Sequence, residues 1–213
     1  MRDNINHEYD YAESVSGPIP DYLLEVERQT YLKTMAPQML SGRLQGRLLS
    51  MLSLLLRPRR ILEIGTFTGY SALCLAEGLA EPGELHTIEG NPETAFLARQ
   101  NFTASPFARQ IQLHEGQAAA ILPTLPDDLW DLVFLDGDKR TYPNYLNTLA
   151  DRIAPGGLLL ADNVLWDGKV GTNKQDKEVN ALHRYNTLLA KRTDFEVVLL
   201  PLRDGLSVAR KTT

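Results

Sequence analysis

The chain has 213 residues, of which 43% are hydrophobic and 23% charged, a balance typical of one ordinary globular domain with a single core. Its net charge of −5 gives no basic surface, so we expect no nucleic-acid partner. A single cysteine, Cys74, excludes a disulfide framework and a thiolate zinc site. The polar N-terminus lacks a signal-peptide core, and no apolar run reaches the length of a membrane span. We therefore expect a cytoplasmic protein without membrane contact.

Two helices are expected before the first strand. Apolar residues recur at near-helical spacing from 20 to 33, where Asp21 suits the N-cap position. A second helix is predicted from Leu44 to Leu56 and ends there because a proline follows closely. We expect residues 1–56 to form a helical lid or oligomerisation segment. Residues 60–213 are then the α/β core of the same single domain.

From residue 60 onward the sequence alternates between strands and helices. The predicted strands lie at 61–65, 84–89, 111–114, 132–136 and 158–162, and the predicted helices at 70–79, 92–101, 142–153 and 177–191. Units of this length indicate a mostly parallel sheet with helices on both faces, which is a Rossmann-like α/β fold. The last two strands, at 196–202 and 206–210, flank Asp204-Gly205 and are predicted to form a C-terminal antiparallel hairpin.

The first predicted strand leads into a glycine turn and a helix, an arrangement that binds nucleotide-like cofactors. Gly65 and Gly69 lack the middle glycine of a dinucleotide fingerprint, because Phe67 stands between them, and no Walker loop follows. Glu89 ends the next strand, where an acid can accept hydrogen bonds from both ribose hydroxyls. Glu63 is a charge inside an apolar strand and needs a polar partner, either the protein itself or something polar that faces it. Together these residues favour S-adenosylmethionine as the cofactor.

Two later strands end in acidic residues. Asp136 closes the fourth predicted strand, and Asp162 and Asn163 close the fifth. Ligands of a parallel sheet bind beyond the carboxyl ends of its strands, so these side chains are expected to converge. Three oxygen ligands, two of them anionic, suit Mg²⁺, Mn²⁺ or Ca²⁺. The alternative is that the residues only cap the helices that follow.

Lys139 lies three residues beyond Asp136, close to the position of such a cation. A neighbouring positive charge lowers a lysine pKa, and a partly neutral amine beside a Lewis acid can act as a general base. The alternative is an exposed lysine at a helix start. A cation with three protein ligands also keeps open positions, so we expect an acceptor with two vicinal oxygens.

Five stretches of the chain resemble the cation-dependent O-methyltransferases, the family of the catechol and caffeoyl-CoA enzymes and their small bacterial relatives. In chain order they read LEIGTFTGYSAL, TIEGNP, FLDGDKRTYPNY, GGLLLADNVLWDGKV and RDGLSVA. The resemblance covers nearly everything after about residue 37. It implies the methyltransferase variant of the Rossmann-like fold and methyl transfer to a vicinal-dihydroxy aromatic acceptor, catechol or caffeoyl in type. It also implies a homodimer.

The resemblance assigns roles to individual positions. It implies that Asp136, Asp162 and Asn163 hold the metal, usually magnesium, and that Lys139 is the catalytic base. Trp166 resembles a wall of the acceptor pocket, which Lys139 and Asp136 also line. The residues implied to bind S-adenosylmethionine are Met39, Ser41, Glu63, Gly65, Phe67, Gly69, Tyr70, Ser71, Glu89, Gly116, Ala118 and Asp136.

The chain departs from the family pattern at a few positions. Gly137 replaces the usual alanine between two aspartates, which leaves the metal ligand intact but loosens the backbone. In the lid, Leu40 replaces a glutamine, and Arg43-Leu44 replaces Pro-Glu. Two alternatives stay open at this point. One is a methyltransferase that acts on a different kind of acceptor, and the other is a non-catalytic module that binds S-adenosylmethionine or a metal.

Overall fold

The computed structural model describes residues 2–172 and 176–213, and its centre is a seven-stranded sheet. The strand order is β3-β2-β1-β4-β5-β7-β6. The first five strands run parallel, whereas β7 is antiparallel to both of its neighbours. The strands are β1 Arg60–Ile64, β2 Glu84–Glu89, β3 Ile111–Glu115, β4 Trp130–Leu135, β5 Ile153–Asp162, β6 Phe195–Leu200 and β7 Leu206–Lys211.

Helices connect the strands and also precede them. The α-helices of the described ranges are α1 Arg2–Val15, α2 Asp21–Lys33, α3 Arg43–Leu56, α4 Tyr70–Ala76, α5 Pro92–Thr103, α6 Ala118–Ile121, α7 Tyr142–Leu149 and α8 Lys177–Ala190. Single 3₁₀ turns occur at Pro37–Met39, Leu122–Thr124, Lys139–Thr141 and Ala150–Arg152. No helix in the described parts of the chain combines the length and the apolar character that a bilayer crossing requires.

The two faces of the sheet carry separate apolar clusters, as expected when side chains alternate along each strand. On β4, Val133 and Leu135 pack into the cluster that includes α7 and α8. Leu132 and Phe134 point the other way, into the cluster formed with α2, α3 and α4. Each strand of the sheet centre is therefore covered on both sides, which explains why these strands read as continuous apolar runs.

The predicted fold class is confirmed, and most element boundaries agree within a few residues. The helix α1 was not predicted, because its residues are mostly polar and only a few of them are apolar. The strand β5 begins at Ile153 rather than at 158, since the Pro-Gly-Gly stretch expected to be a turn extends the strand past a register shift. In the C-terminal hairpin, β7 lies inside the sheet and β6 forms the edge.

The strand order places a crevice at the centre of the sheet. The chain proceeds from β1 to β2 and β3 on one side, and it then returns to build β4 and β5 on the other side. Connections leave β1 and β4 in opposite directions, so the carboxyl ends of these two strands are not covered by a crossover. In doubly wound folds this switch point is where ligands bind.

Candidate functional site

A cavity of about 940 Å³ opens at the carboxyl ends of the five parallel strands, β1 to β5. We refer to two parts of its lining. The β1–β2 end consists of Gly65, Phe67, Glu89, Gly116 and Ala118, and the β4–β5 end consists of Asp136, Lys139, Asp162, Asn163 and Trp166. Residues 33–39, between α2 and α3, contribute Met39 and several neighbours to the same cavity.

Gly65 lets the ends of β1 and β4 approach each other closely. Its φ is 101°, a left-handed value that favours glycine. A Cβ atom at this position would lie 2.4 Å from the carbonyl oxygen of Asp136. The Asp136 amide in turn donates to the Ile64 carbonyl at 2.8 Å. The turn after β1 and the acidic end of β4 are thus in direct backbone contact.

The Glu89 carboxylate is held at the rim of the cavity by two backbone amides. Phe67 donates to Oε2 at 2.6 Å, and Asn91 donates to Oε1 at 2.8 Å. These bonds fix the carboxylate at the end of β2, and each oxygen keeps further acceptor capacity. A hydroxylated ligand in the cavity has in Glu89 a pre-oriented acceptor.

Glu63 lies beneath the glycine turn and is fully buried. Its Oε1 accepts a hydrogen bond from the Ser71 hydroxyl at 2.6 Å, and its Oε2 accepts one from Thr87. Burial raises the pKa of Glu63 to about 8, despite both hydrogen bonds. The polar partner expected from the sequence therefore comes from two hydroxyl groups of the chain itself.

The predicted cofactor residues fall into two groups. Those that line the cavity are Met39, Gly65, Phe67, Glu89, Gly116, Ala118 and Asp136. The remaining ones lie outside this lining and support it from below or beside it: Ser41, Glu63, Gly69, Tyr70 and Ser71. Gly69 supports the turn sterically, because a Cβ there would lie 2.5 Å from the Phe102 ring.

The three predicted metal ligands converge at the β4–β5 end. Asp136 directly follows β4 and Asp162 is the last residue of the neighbouring β5, and the two strands pair up to Leu135 and Ala161. Asn163 has a φ of 59°, a left-handed conformation that asparagine tolerates better than most residues. Burial raises the pKa of Asp136 to about 6; Lys139 opposes this shift and the nearby Asp162 adds to it.

Lys139 is almost fully buried beside these acids. Its Nζ donates to Asp136 Oδ1 at 2.8 Å and to the Tyr142 hydroxyl at 2.9 Å. The Tyr142 hydroxyl also lies 2.8 Å from the carbonyl oxygen of Leu135 and 3.1 Å from that of Asp162. Tyr142 therefore links the ends of β4 and β5 to the lysine amine.

The donor set at the β4–β5 end fits a hard divalent cation. Two carboxylates and one amide oxygen are ligands of the kind that Mg²⁺, Mn²⁺ and Ca²⁺ prefer. The charge of Asp162 helps to raise the pKa of Asp136, which shows that the two carboxylates repel each other, and a cation between them would remove that repulsion. The described residues contain no group of three or more His, Cys, Asp or Glu side chains suited to a metal. The candidate set consists of two such residues completed by Asn163.

Three residues at the site were not singled out by the sequence. Gln45 of α3 donates to Asp162 Oδ2 at 2.8 Å. Arg203, in the loop before β7, lines the cavity and donates to the Leu40 carbonyl at 2.6 Å. Tyr145 lines the β4–β5 end together with Trp166. Of these three residues, only Gln45 could have been noticed in the sequence, because it is a polar residue on the apolar face of a predicted helix.

Comparison with known proteins identifies the family. A family model described as O-methyltransferase matches residues 13–212. The chain belongs to this O-methyltransferase family. The catechol O-methyltransferase of Niastella koreensis is 34% identical over 174 residues, which cover 78% of this chain and 79% of the relative. Caffeoyl-CoA O-methyltransferase 2 of Petunia hybrida is 32% identical over 180 residues, covering 78% and 74%.

Solved structures of methyltransferases have the same fold. The O-methyltransferase TomG of Streptomyces achromogenes, in complex with S-adenosylmethionine, has a TM-score of 0.88 and 32% identity, with 95% of each chain covered. The Podospora anserina methyltransferase PaMTH1, bound to S-adenosylhomocysteine, has a TM-score of 0.88 and 30% identity, with 99% and 96% covered. The predicted enzyme class, an S-adenosylmethionine-dependent O-methyltransferase, is confirmed. The alternative of a non-catalytic module no longer applies.

Proposed function

We propose that this O-methyltransferase transfers the methyl group of S-adenosylmethionine to one oxygen of a vicinal-dihydroxy aromatic acceptor, with the help of a divalent cation. Magnesium is our first choice of cation, and manganese or calcium are alternatives. The catechol and caffeoyl-CoA relatives named above motivate the acceptor class. Both types of relative are similar to this chain to nearly the same degree, so the proposal covers free catechols and caffeoyl-type esters.

One observation carries the proposal. One and the same cavity has a glycine turn and the Glu89 carboxylate at its β1–β2 end, and it has two acids, an amide and a buried lysine at its β4–β5 end. The backbone contact between Gly65 and Asp136 joins the two ends directly. A donor bound at one end and an acceptor bound at the other therefore meet where β1 and β4 adjoin.

At the β1–β2 end, we propose that Glu89 binds the ribose hydroxyls and that Gly116 and Ala118 lie along the base. Gly65 leaves space for the methionine portion, and Met39 covers it. The cofactor, when bound, supplies an electrophilic methyl group. Glu63, Ser71, Gly69, Tyr70 and Ser41 then act from outside the lining by keeping the turn and its cover in place.

At the β4–β5 end, we propose that Asp136, Asp162 and Asn163 hold the cation and that Trp166 forms a wall for the aromatic ring. The cation, when bound, supplies positive charge that favours the deprotonated form of the acceptor hydroxyl. Lys139 accepts the proton, and its contacts with Asp136 and Tyr142 fix the position of Nζ. Most of the rate enhancement is expected from orientation, because the reacting oxygen and methyl carbon are held at near-attack distance.

A methylation assay with matched acceptors tests this function. Caffeic acid, its CoA ester and simple catechols are incubated with S-adenosylmethionine and Mg²⁺, and p-coumaric acid serves as the control with a single hydroxyl group. We expect methylation of the diols only, and its loss in EDTA. Full methylation in EDTA would overturn the proposed requirement for a cation. Turnover of p-coumaric acid but of no diol would overturn the proposed acceptor class.

We also propose that residues 1–56 act within the same methyltransferase domain as a cover and a dimer-forming segment. The support is the apolar surface of α3, where Met51, Leu54 and Leu55 are exposed. Light scattering during size-exclusion chromatography tests this. We expect a homodimer that dissociates in a Leu55→Glu variant, and a wild-type monomer would contradict the proposal.

A further inference from the structure

Gln45 is a buried polar residue for which the proposed reaction gives no role. It lies in the first turn of α3 and has no exposed surface. Its Nε2 donates to Oδ2 of Asp162 at 2.8 Å, across 117 residues of sequence. The amino end of the amide faces the carboxylate, because the amide oxygen would be repelled there.

This contact completes the orientation of the Asp162 carboxylate. The other oxygen, Oδ1, accepts a hydrogen bond from the Asn163 backbone amide at 2.7 Å. With one donor on each oxygen, the plane of the carboxylate is fixed, and each oxygen retains a lone pair for a further partner. Both donors are neutral, so they orient the negative charge without cancelling it.

The rest of the Gln45 side chain is poorly matched to its surroundings. Its Oε1 is buried and has no hydrogen-bond partner among the described residues. A buried acceptor without a partner costs about 1–3 kcal/mol. Of the two polar ends of the amide, only Nε2 therefore has a hydrogen-bond partner among the described residues, and that partner is Asp162.

We propose that Gln45 is a positioning residue that aims the Asp162 carboxylate at the cation. The inference rests on the cation site of the proposed function. It adds α3 to the set of elements that determine cation affinity. Partners of metal-binding side chains are known to matter in this way, since their removal typically weakens metal affinity about 10–100-fold.

Direct measurement of Mn²⁺ affinity tests the role of Gln45 without relying on turnover. The full chain is titrated with Mn²⁺, and free Mn²⁺ is followed by electron paramagnetic resonance. We expect Gln45→Met, which keeps the length but not the donor, to raise the Mn²⁺ Kd about 10–100-fold. Gln45→Asn, which is one methylene too short, should do the same and serves as the second variant if the first is unstable.

Two controls separate positioning from a general effect on the fold. Ser53→Ala removes a different buried hydrogen bond of α3, the one to the Leu75 carbonyl, and should leave the Mn²⁺ affinity unchanged. Binding of S-adenosylhomocysteine in EDTA should be the same in all variants. Wild-type Mn²⁺ affinity in the Gln45 variants, or an equal loss in Ser53→Ala, would overturn the inference. Absence of Mn²⁺ binding by the wild-type chain would instead overturn the cation site itself.

Discussion

Glu63 shows how a single charge is accommodated inside the central strand. The residue belongs to β1 between Leu62 and Ile64, and its carboxyl group is bound by two hydroxyls rather than by a cation. Hydroxyl donors compensate only part of the cost of burial, so the protonated form is favoured and the pKa rises to about 8. Near neutral pH the side chain is mostly an uncharged acid.

This pKa predicts a pH-dependent stability that a Glu63→Gln variant lacks. The unfolded chain releases the proton near pH 4.5, whereas the folded chain holds it up to about pH 8. Between these values the folded state binds more protons, so its free energy of unfolding falls by about 1.4 kcal/mol per pH unit as the pH rises. Urea unfolding of both proteins between about pH 5 and pH 8 should show that the free energy of unfolding of the variant rises relative to that of the wild type as the pH rises. Glu93→Gln, at an exposed position, is the control, and parallel curves for all three would contradict the prediction.

Lys139 is the second residue whose environment predicts a measurable role. Its Nζ is fixed by the carboxylate of Asp136 and the hydroxyl of Tyr142. We expect Lys139→Ala to lower kcat by about 10²–10⁴, the usual contribution of a general base, while the affinity for S-adenosylhomocysteine stays close to that of the wild type. Steady-state kinetics and calorimetry measure these quantities.

The comparison for this variant is Lys191→Ala, which removes a lysine at the end of α8 and should behave like the wild type. If Lys139→Ala retained full turnover at saturating acceptor, the lysine would be a structural residue and another group would accept the proton.

At the scale of elements, the turn between β1 and α4 tolerates only glycine at its first position. Gly65→Ala would place a methyl group 2.4 Å from the Asp136 carbonyl oxygen. Gly156→Ala is the matched control, since its φ is also positive, at 84°, but no atom lies within 4 Å of the added Cβ. The free energy of unfolding of the control should fall by only about 1–2 kcal/mol, which is the cost of placing alanine in left-handed geometry.

We expect Gly65→Ala to lose more stability than the control and also to weaken S-adenosylhomocysteine binding, because the turn and the end of β4 must move apart. Urea unfolding and calorimetry of both variants measure the two effects. Equal losses of stability with unchanged ligand affinity would show that the close approach of the strands has no functional consequence.

The elements that the sequence predicted are those whose patterns are local. Apolar strands buried on both faces, glycine turns and acids at strand ends can be read within short windows, and the structure contains them. The helix α1 was not predicted in this way, because it contains few apolar residues and its sequence is mostly polar. The position of β7 between β5 and β6 could not be predicted locally either, because the pairing of these antiparallel strands depends on contacts across the whole sheet.

At the scale of the whole molecule, the site is assembled from segments distant in sequence. The sequence predicted the convergence of Asp136, Asp162 and Asn163 from a general property of parallel sheets, and the strand order brings them together. It did not predict the contact of Gln45 with Asp162, because the helix that carries Gln45 precedes the sheet and its packing angle is set by the apolar cluster beneath it. Residue roles that depend on such long-range packing require the structure.

The stretch from Gln38 to Gln45 touches both halves of the site. Met39 lines the cavity, Arg203 donates to the carbonyls of Leu40 and Gln38, and Gln45 holds Asp162. We therefore expect a ligand bound at one half of the site to change the affinity of the other half for its own ligand. Thermodynamic reciprocity then requires Mn²⁺ to tighten S-adenosylhomocysteine binding by the same factor by which S-adenosylhomocysteine tightens Mn²⁺ binding.

Four dissociation constants measure this linkage: each ligand alone and each in the presence of the other. We expect a common factor of about 5–150, the usual range of such couplings, and a factor near one in Gln45→Met. A factor of one in the wild-type chain would show that the ligands bind independently. With the expected linkage, each ligand raises the fraction of the enzyme that holds the other ligand, so the acceptor more often meets an enzyme that carries both.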